Sequence, residues 1–410
     1  MGVAGIVVFA VTYALISMRR LQWLGFDRPA GALLGAVAAV VVGAVTPERA
    51  VAAIDGATLI LLFGVMGMGA FLALDGFFDS VEAKLVALAG TPTRLLGAVV
   101  WSSGALAALI TNDAVCVLGA PVVVRMIQRH KLPPLPFLLA LATSSNTGSV
   151  ATLVGNPQNM LCANLGGLAY LDHLALAMPI AIVGLAMGHA LLAWMFRASL
   201  AATTIDPAAL SAVVPPLATR SRITIAVIGA TAIAYSAGAD LAWTATAGLV
   251  ALMLVHRRDT RDVWPRIDWS LLLFFAGLFV VVEGLIESGA PAWLFARFPL
   301  AGADDAGPLE TLRLAGIFLV GSNVVSNVPF ILVVQDSMAS LASPRAGWEL
   351  LAVASTFAGN LTLLGSVANV IVAESARDIG GLGFFDHLRV GLPLALITTA
   401  MGALWLAWWM

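Results

Sequence analysis

Ala140-Leu-Ala-Thr-Ser-Ser-Asn-Thr-Gly-Ser-Val-Ala-Thr-Leu-Val-Gly-Asn-Pro-Gln-Asn-Met-Leu161 sets ten polar side chains and two glycines in the middle of a long apolar run. Hydrocarbon admits irregular, polar backbone only where protein buries it or a watery cavity borders it. The stretch therefore reads as an interrupted span that forms part of a solute site.

The surrounding chain supports that reading. Of its 410 residues, 60% are hydrophobic and only 11% are charged. A soluble protein carries about 25% charged residues. The deficit runs along nearly the whole length, so the expected class is an all-α polytopic membrane protein. A net charge of −2, with no basic patch beyond short loops, excludes nucleic acid as a partner. No Walker motif or nucleotide-binding pattern occurs, so the chain is expected to be no enzyme and to draw on an ion gradient. Cys116 and Cys162 both lie in apolar surroundings and read as small buried hydrophobes. Two thiols support neither a disulfide framework nor a metal site, and no cofactor is expected. The run Gly2 to Met18 lacks a preceding basic region, and Arg19 and Arg20 follow it. It reads as a retained first helix with its N-terminus outside, not as a signal peptide.

Apolar runs of near-spanning length are Val3–Met18, Ala30–Val45, Gly56–Leu74, Leu95–Val124, Pro136–Leu165 and Leu174–Phe196, then Ile223–Gly238, Ala242–Val255, Trp269–Ile286, Leu312–Val334, Leu350–Ala373 and Leu388–Trp409. Trp23, Trp264, Trp269, Trp405, Trp408 and Trp409 lie near run ends, as an aromatic belt requires. Basic residues cluster at Arg19–Arg28, Lys84–Arg94, Arg125–Lys131, Arg197–Arg222, Arg257–Arg266 and Arg377–Arg389. If all six clusters are cytoplasmic, Leu95–Val124 must enter and leave on one side. Its centre, Leu109-Ile-Thr-Asn-Asp-Ala114, is a polar turn, so it reads as a re-entrant hairpin. Leu312–Val334 has the same form around Val325-Ser-Asn-Val-Pro329, and its flanks carry Asp304 and Asp305. That hairpin is expected to enter from outside. The expectation is ten transmembrane spans plus two re-entrant hairpins, with both termini outside, in the inner (plasma) membrane.

An internal repeat gives the same count. Tyr170-Leu-Asp-His-Leu-Ala-Leu-Ala-Met-Pro179 matches Phe384-Phe-Asp-His-Leu-Arg-Val-Gly-Leu-Pro393 at an offset of 214. Thr152–Asn159 matches Thr362–Asn369 at 210, and Thr111-Asn112 matches Ser326-Asn327 at 215. Residues 1–200 form a first repeat with a cytoplasmic-side hairpin at 95–128. Residues 201–221 form a linker marked by Pro207, Pro215 and Pro216. Residues 222–410 form a second repeat with an outside hairpin at 310–341. Each contributes an odd number of spans, so the second is inverted, the pattern of secondary transporters.

Four polar breaks remain: Thr111-Asn112-Asp113, Thr143–Asn159, Ser322–Asn327 and Thr356–Asn369. Unwound backbone offers carbonyls and helix N-termini, and Asn and Thr both donate and accept. The candidate solute contacts are Thr111, Asn112, Asn146, Thr147, Gly148, Ser149, Thr152, Asn156 and Asn159, with Ser326, Asn327, Asn360, Thr362, Ser366 and Asn369. The competing reading is that small polar residues only glue helices together. Asp113 has Val328 as its repeat counterpart, and a carboxyl at a buried tip suits proton exchange. Its competing reading is an N-cap for the helix that follows. Glu283, inside Phe279-Val-Val-Val-Glu-Gly284, is a second proton-coupling candidate. Glu374 and Asp336 read as interfacial, and the repeat-related Asp172-His173 and Asp386-His387 as helix N-terminal caps. No Arg or Lys lies in any of the four breaks, which fits a solute that is neutral when bound.

Asn112-Asp113, Gly155-Asn-Pro-Gln-Asn159, Ser326-Asn-Val-Pro329 and Gly359–Asn369 resemble the ion-transporter superfamily that includes arsenite-efflux permeases, divalent-anion symporters and Na⁺/H⁺ antiporters. Pro136–Asn159 and Gly359–Arg377 are similar to the plant silicon-efflux group. The resemblance implies a homodimer whose protomers each have a scaffold and a moving transport domain. It implies Asn112, Asp113, Asn146, Thr147, Asn327 and Asn360 at or near the site. It also implies proton-coupled export of an arsenite-like or silicic-acid-like hydroxide. The first tip departs from the sodium-coupled anion symporters, which carry Thr where this chain has Asp113, and the change favours H⁺ over Na⁺.

The expected function is elevator-like, proton-coupled efflux of a small uncharged inorganic oxyacid. The alternatives are a Na⁺-coupled symporter for sulfate or a dicarboxylate, a Na⁺/H⁺ antiporter, and, outside these, a channel or receptor.

Overall fold

The computed structural model describes residues 2–17, 27–205, 216–300 and 307–409. Arg19, Arg20, Trp23, Pro207, Pro215, Asp304 and Asp305, to which the sequence reading gave weight, lie outside the described residues. Among the described residues every regular element is helical. The element order of the first part recurs in the second. Two helices, Val3–Ser17 and Arg28–Val41, lead through the short Pro47–Ala52 to the long Gly56–Leu74 and the surface helix Phe77–Ala89. Thr219–Ser236, Leu241–His256, Thr260–Val263, Trp269–Glu287 and Ala290–Arg297 follow the same order.

Each series then enters a hairpin. Pro92–Ile110 turns at Thr111 into Asn112–His130, and Pro308–Val325 turns at Ser326 into Asn327–Met338. Thr111 has φ 80 and Ser326 has φ 72, the region that non-glycine residues avoid. Such a conformation costs about 1–3 kcal/mol and persists only where surroundings over-determine it. At the first tip, Thr111 Oγ1 accepts from Ala114 N at 3.3 Å and Asn112 N donates to Gly155 O at 2.9 Å. The N-cap is therefore Thr111, and Asp113 sits one residue inside the helix with its carboxyl left for other work.

A broken span follows each hairpin. Pro134–Ser149 unwinds before Pro157–Gly166, whose N-cap Asn156 accepts from Asn159 N at 2.8 Å. Pro344–Leu361 passes through a short turn, Leu363–Gly365, into Val367–Ser375. Proline near the first position of Pro134–Ser149, Pro157–Gly166 and Pro344–Leu361 removes an N–H that a helix start leaves unpaired. Gly148 and Gly155 hold the first break closed. A Cβ on Gly148 would meet Gly104 O at 2.2 Å, and one on Gly155 would meet Ser149 O at 2.1 Å. Each series closes with a long helix, Tyr170–Met195 or Phe384–Trp409.

The two halves exchange partners. Arg28–Val41 packs on Trp269–Glu287, and Gly56–Leu74 packs on Leu241–His256. Pro157–Gly166 packs on Asn327–Met338, and Val367–Ser375 packs on Asn112–His130. Each half-helix after a break thus lies along the hairpin of the other half.

Among the described residues five helices are long and apolar enough to cross a membrane: Gly56–Leu74, Pro92–Ile110, Tyr170–Met195, Trp269–Glu287 and Phe384–Trp409. Fewer than the ten expected spans reach full length. The broken spans divide their length between two half-helices, and Val3–Ser17, Arg28–Val41 and Leu241–His256 have 15, 14 and 16 residues. At 1.5 Å per residue they rise about 21–24 Å, against about 30 Å of hydrocarbon.

Asp172-His173 is not a cap. The helix Tyr170–Met195 starts after Ala169 with no side-chain cap, and Asp172 pairs with Arg345. His173 is fully buried and bonds Glu349 Oε2 at 2.6 Å and Val150 O at 3.0 Å. His387 is also fully buried. The His173 ring thus bonds interior partners and not its own helix N-terminus.

Candidate functional site

A cavity of about 220 Å³ opens between the two hairpin tips. Asn112, Asp113, Pro157 and Gln158 line it from the first half. Asn323, Ser326, Asn327, Val328, Thr362, Gly365 and Ser366 line it from the second. Tyr13, Ile16, Arg28, Phe274 and Phe275 close it from the surrounding helices. Amide and hydroxyl groups dominate the wall nearest the tips. Such groups donate and accept, so they can hold a ligand covered in hydroxyls.

The expected site residues separate into two shells. Asn112, Ser326, Asn327, Thr362 and Ser366 line the cavity beside Asp113. Asn146, Thr147, Gly148, Ser149, Thr152, Asn156, Asn159, Asn360 and Asn369 do not, nor does Thr111. These lie behind it in a buried hydrogen-bonded wall. Asn146 Nδ2 donates to Asn360 Oδ1 at 3.1 Å and to Asn369 Oδ1 at 2.9 Å. Asn146 Oδ1 accepts from Asn112 Nδ2 at 2.9 Å and from Ser366 Oγ at 3.1 Å. Asn360 Nδ2 donates to Thr147 Oγ1 at 2.9 Å. Asn156 Nδ2 donates to Ser149 Oγ at 2.9 Å and to Thr356 Oγ1 at 3.1 Å. Asn159 Nδ2 donates to Thr152 O at 3.0 Å, and Thr152 Oγ1 donates to Ala108 O at 2.7 Å. Buried polar groups must be paired, and this wall pairs the side chains and carbonyls that the broken spans expose.

The wall holds the lining residues in place. Asn112 reaches both the cavity and Asn146, and so does Ser366. Asn327 Nδ2 donates to Gly365 O at 3.4 Å, while its Oδ1 has no protein partner. Asn323 Nδ2 donates to Ala358 O at 3.0 Å, and its Oδ1 accepts from Thr362 Oγ1 at 3.3 Å. Asp113 is 5% exposed, and the backbone N–H of Ala368, at the start of Val367–Ser375, is within bonding reach of its carboxylate.

Glu283 lies elsewhere. It is four residues from the end of its helix and accepts from Arg49 Nε at 2.6 Å. It borders a separate cavity of about 310 Å³ with Arg49, Asp55, Leu332 and Gln335.

Several lining residues escaped the sequence reading. Asn323 sits within the Ser322–Asn327 break and Gln158 within Gly155–Asn159, so polarity alone marked them. Arg28 lies in none of the four breaks, yet it lines the cavity. Only its position at the start of Arg28–Val41, beside Asp27, hints at an inward-facing charge. The buried pair His173–Glu349 was also not foreseen, because Glu349 stands just before the apolar run Leu350–Ala373 and reads as a flanking charge.

The chain was compared with known proteins. The family described as CitMHS, citrate transporter, matches residues 13–358. The silicon efflux transporter LSI3 of Oryza sativa subsp. japonica is 33% identical, covering 98% of this chain and 96% of its own length. The putative transporter arsB of Dictyostelium discoideum is 25% identical over 97% of this chain and 90% of its own. The crystal structure of the YdaH transporter of Alcanivorax borkumensis shares the fold, with a TM-score of 0.53 at 17% identity, covering 98% of this chain and 96% of that one. The expected resemblance to the ion-transporter superfamily therefore holds. The chain is a membrane transporter, not an enzyme, and it belongs to the CitMHS citrate transporter family.

Proposed function

We propose that the chain is a proton-coupled exporter of a small uncharged oxyacid, silicic acid or arsenite, and that Asp113 carries the proton. The observation behind this reading is the cavity between the hairpin tips, where among the described residues Asp113 is the one carboxylate in a wall with amide and hydroxyl groups. A tetrahedral or pyramidal hydroxide matches those donors and acceptors without a counter-charge. The named activities of the rice silicon efflux transporter and the arsB-like relative point the same way.

In this reading ten spans and two opposed re-entrant hairpins form two inverted repeats, residues 1–200 and 222–410, joined by 201–221. The recurring element order and the paired strained tips, Thr111 and Ser326, support it. Hairpins, broken spans and the closing helices move together as an elevator against a scaffold of the remaining helices. Two such protomers form a homodimer in the plasma membrane, with both termini outside. In this reading the Arg28 edge of the cavity lies on the cytoplasmic side.

A second reading has one observation in its favour. Arg28 lines the cavity, and a guanidinium suits a carboxylate. A citrate-like or other anion, carried with Na⁺ or H⁺, would use it. Uptake of silicic acid and arsenite into inside-out vesicles, with and without a pH gradient, tests the first reading. Uptake driven by the gradient and unaffected by citrate supports it. Citrate uptake that requires Na⁺ and fails in Arg28→Gln supports the second.

A further inference from the structure

Asp113 borders two cavities. One is the solute cavity between the tips. The other, about 10 Å³, lies along the same helix and is walled by Met66, Val117, Leu118, Leu271, Arg266 and Asp268. A cavity of that size holds about one water molecule. Asp268 is the N-cap of Trp269–Glu287, where its Oδ1 accepts from Leu271 N at 3.0 Å. Asp268 is partly exposed and Arg266 exposed, while Asp113 is buried. The small cavity therefore sits between a buried carboxyl and a carboxylate that meets solvent.

We propose that Asp268 is a proton-relay residue, connecting Asp113 to the aqueous phase on the Arg266 side by a route separate from the solute cavity. The proposal rests on the reading of Asp113 as the proton carrier. Asp113 gives its proton to one water in the small cavity, and that water gives a proton to the Asp268 carboxylate. Asp113 ends ionised and Asp268 ends protonated, and Asp268 then loses its proton to bulk water. No electron moves. The solute can meanwhile enter through the larger cavity, so proton release and solute binding need not share one path.

The charged and titratable groups facing Asp113 fit this division. Arg28 stands across the solute cavity, and Arg266 and Asp268 across the small one. Cys116 is one turn along the same helix, and Ala368 N–H approaches from Val367–Ser375. The counterpart of Asp268 in the first part of the chain is Asp55, which borders the separate cavity of about 310 Å³. There Asp55 caps Gly56–Leu74 by accepting from Thr58 N at 3.0 Å, and its second oxygen accepts from Asn164 Nδ2 at 2.7 Å. The second hairpin carries Val328 where the first carries Asp113.

The test compares Asp268→Asn with Asp113→Asn in proteoliposomes loaded with silicic acid. Asparagine caps a helix as well as aspartate does, so Asp268→Asn keeps the helix start and removes only the proton acceptor. The expected result is a transport rate lowered about ten-fold, with an altered pH profile and a KM for silicic acid within about two-fold of wild type. Asp268→Glu is expected to restore most of the rate. Infrared spectroscopy gives a readout that needs no solute: exchange of the Asp113 carboxyl proton in D₂O should slow about ten-fold in Asp268→Asn. If Asp268→Asn does not yield folded protein, Val117→Leu, which fills the small cavity, carries the same expectations. Wild-type rate, pH profile and exchange in Asp268→Asn, alongside lost proton dependence in Asp113→Asn, would overturn the relay and leave Asp113 as the carrier. Full proton dependence in Asp113→Asn would overturn both.

Discussion

Asn146 Nδ2 donates to Asn369 Oδ1 at 2.9 Å, joining the first broken span to the second across 223 residues of sequence. The same side chain holds Asn112, at one hairpin tip, and Ser366, at the start of the second half-helix. Asn146 is thus the residue on which both breaks and one tip converge, although it does not itself line the cavity.

Asn146→Leu should therefore act on folding before it acts on binding. It removes hydrogen bonds to Asn112, Asn360, Asn369 and Ser366 and leaves those groups buried without a partner. At about 1 kcal/mol per bond, the loss is about 3–4 kcal/mol. Thermal melting of detergent-purified protein should show a large drop. A melting temperature equal to wild type would show that the wall carries no stability.

Gly148→Ala and Gly56→Ala form a matched pair. A methyl group at Gly148 meets Gly104 O at 2.2 Å, whereas nothing lies within 4 Å of one at Gly56. The first should abolish folded protein in the membrane, because Pro92–Ile110 and Pro134–Ser149 must separate. The second should fold normally, as measured by size-exclusion profiles after extraction.

Ser326→Gly separates strain from contact. Ser326 adopts φ 72 with no side-chain cap bond, and glycine takes that conformation freely. The melting temperature should stay the same or rise, with a gain of about 1 kcal/mol. Transport should nonetheless fall, since the hydroxyl lines the cavity. A fall in both would show that the hydroxyl also supports the tip.

Glu283→Gln asks whether one carboxylate or two carry the proton. Glu283 pairs with an exposed Arg49 and borders a different cavity. If Asp113 alone carries the proton, this variant keeps the full pH dependence of transport. A lost or halved proton-to-solute ratio would restore Glu283 to the coupling path.

The sequence carried the hairpins, the breaks and the family, and the reasons are physical. Polar residues are costly in hydrocarbon, so Thr111–Asp113, Thr143–Asn159 and their counterparts stood out from composition alone. Which of them face a ligand was not legible. Asn146 and Asn112 have the same chemistry, and only the packing of half-helices from opposite halves turns one inward to the wall and the other to the cavity. Arg28 was hidden for a related reason: it lies far in sequence from every break and reaches the cavity through the packing of Arg28–Val41. Surface helices such as Phe77–Ala89 were also missed, because a short mixed segment carries no spanning signal.

The central claim is that Asp113 couples proton entry to solute export. Silicic acid uptake into inside-out vesicles, with the pH gradient set and then collapsed, tests it most directly in wild type and Asp113→Asn. Collapsing the gradient is expected to slow wild-type uptake at least about ten-fold, and Asp113→Asn, folded and able to bind silicic acid, is expected to show no response to the gradient. Asp113→Asn uptake that still follows the gradient as wild type does would contradict it.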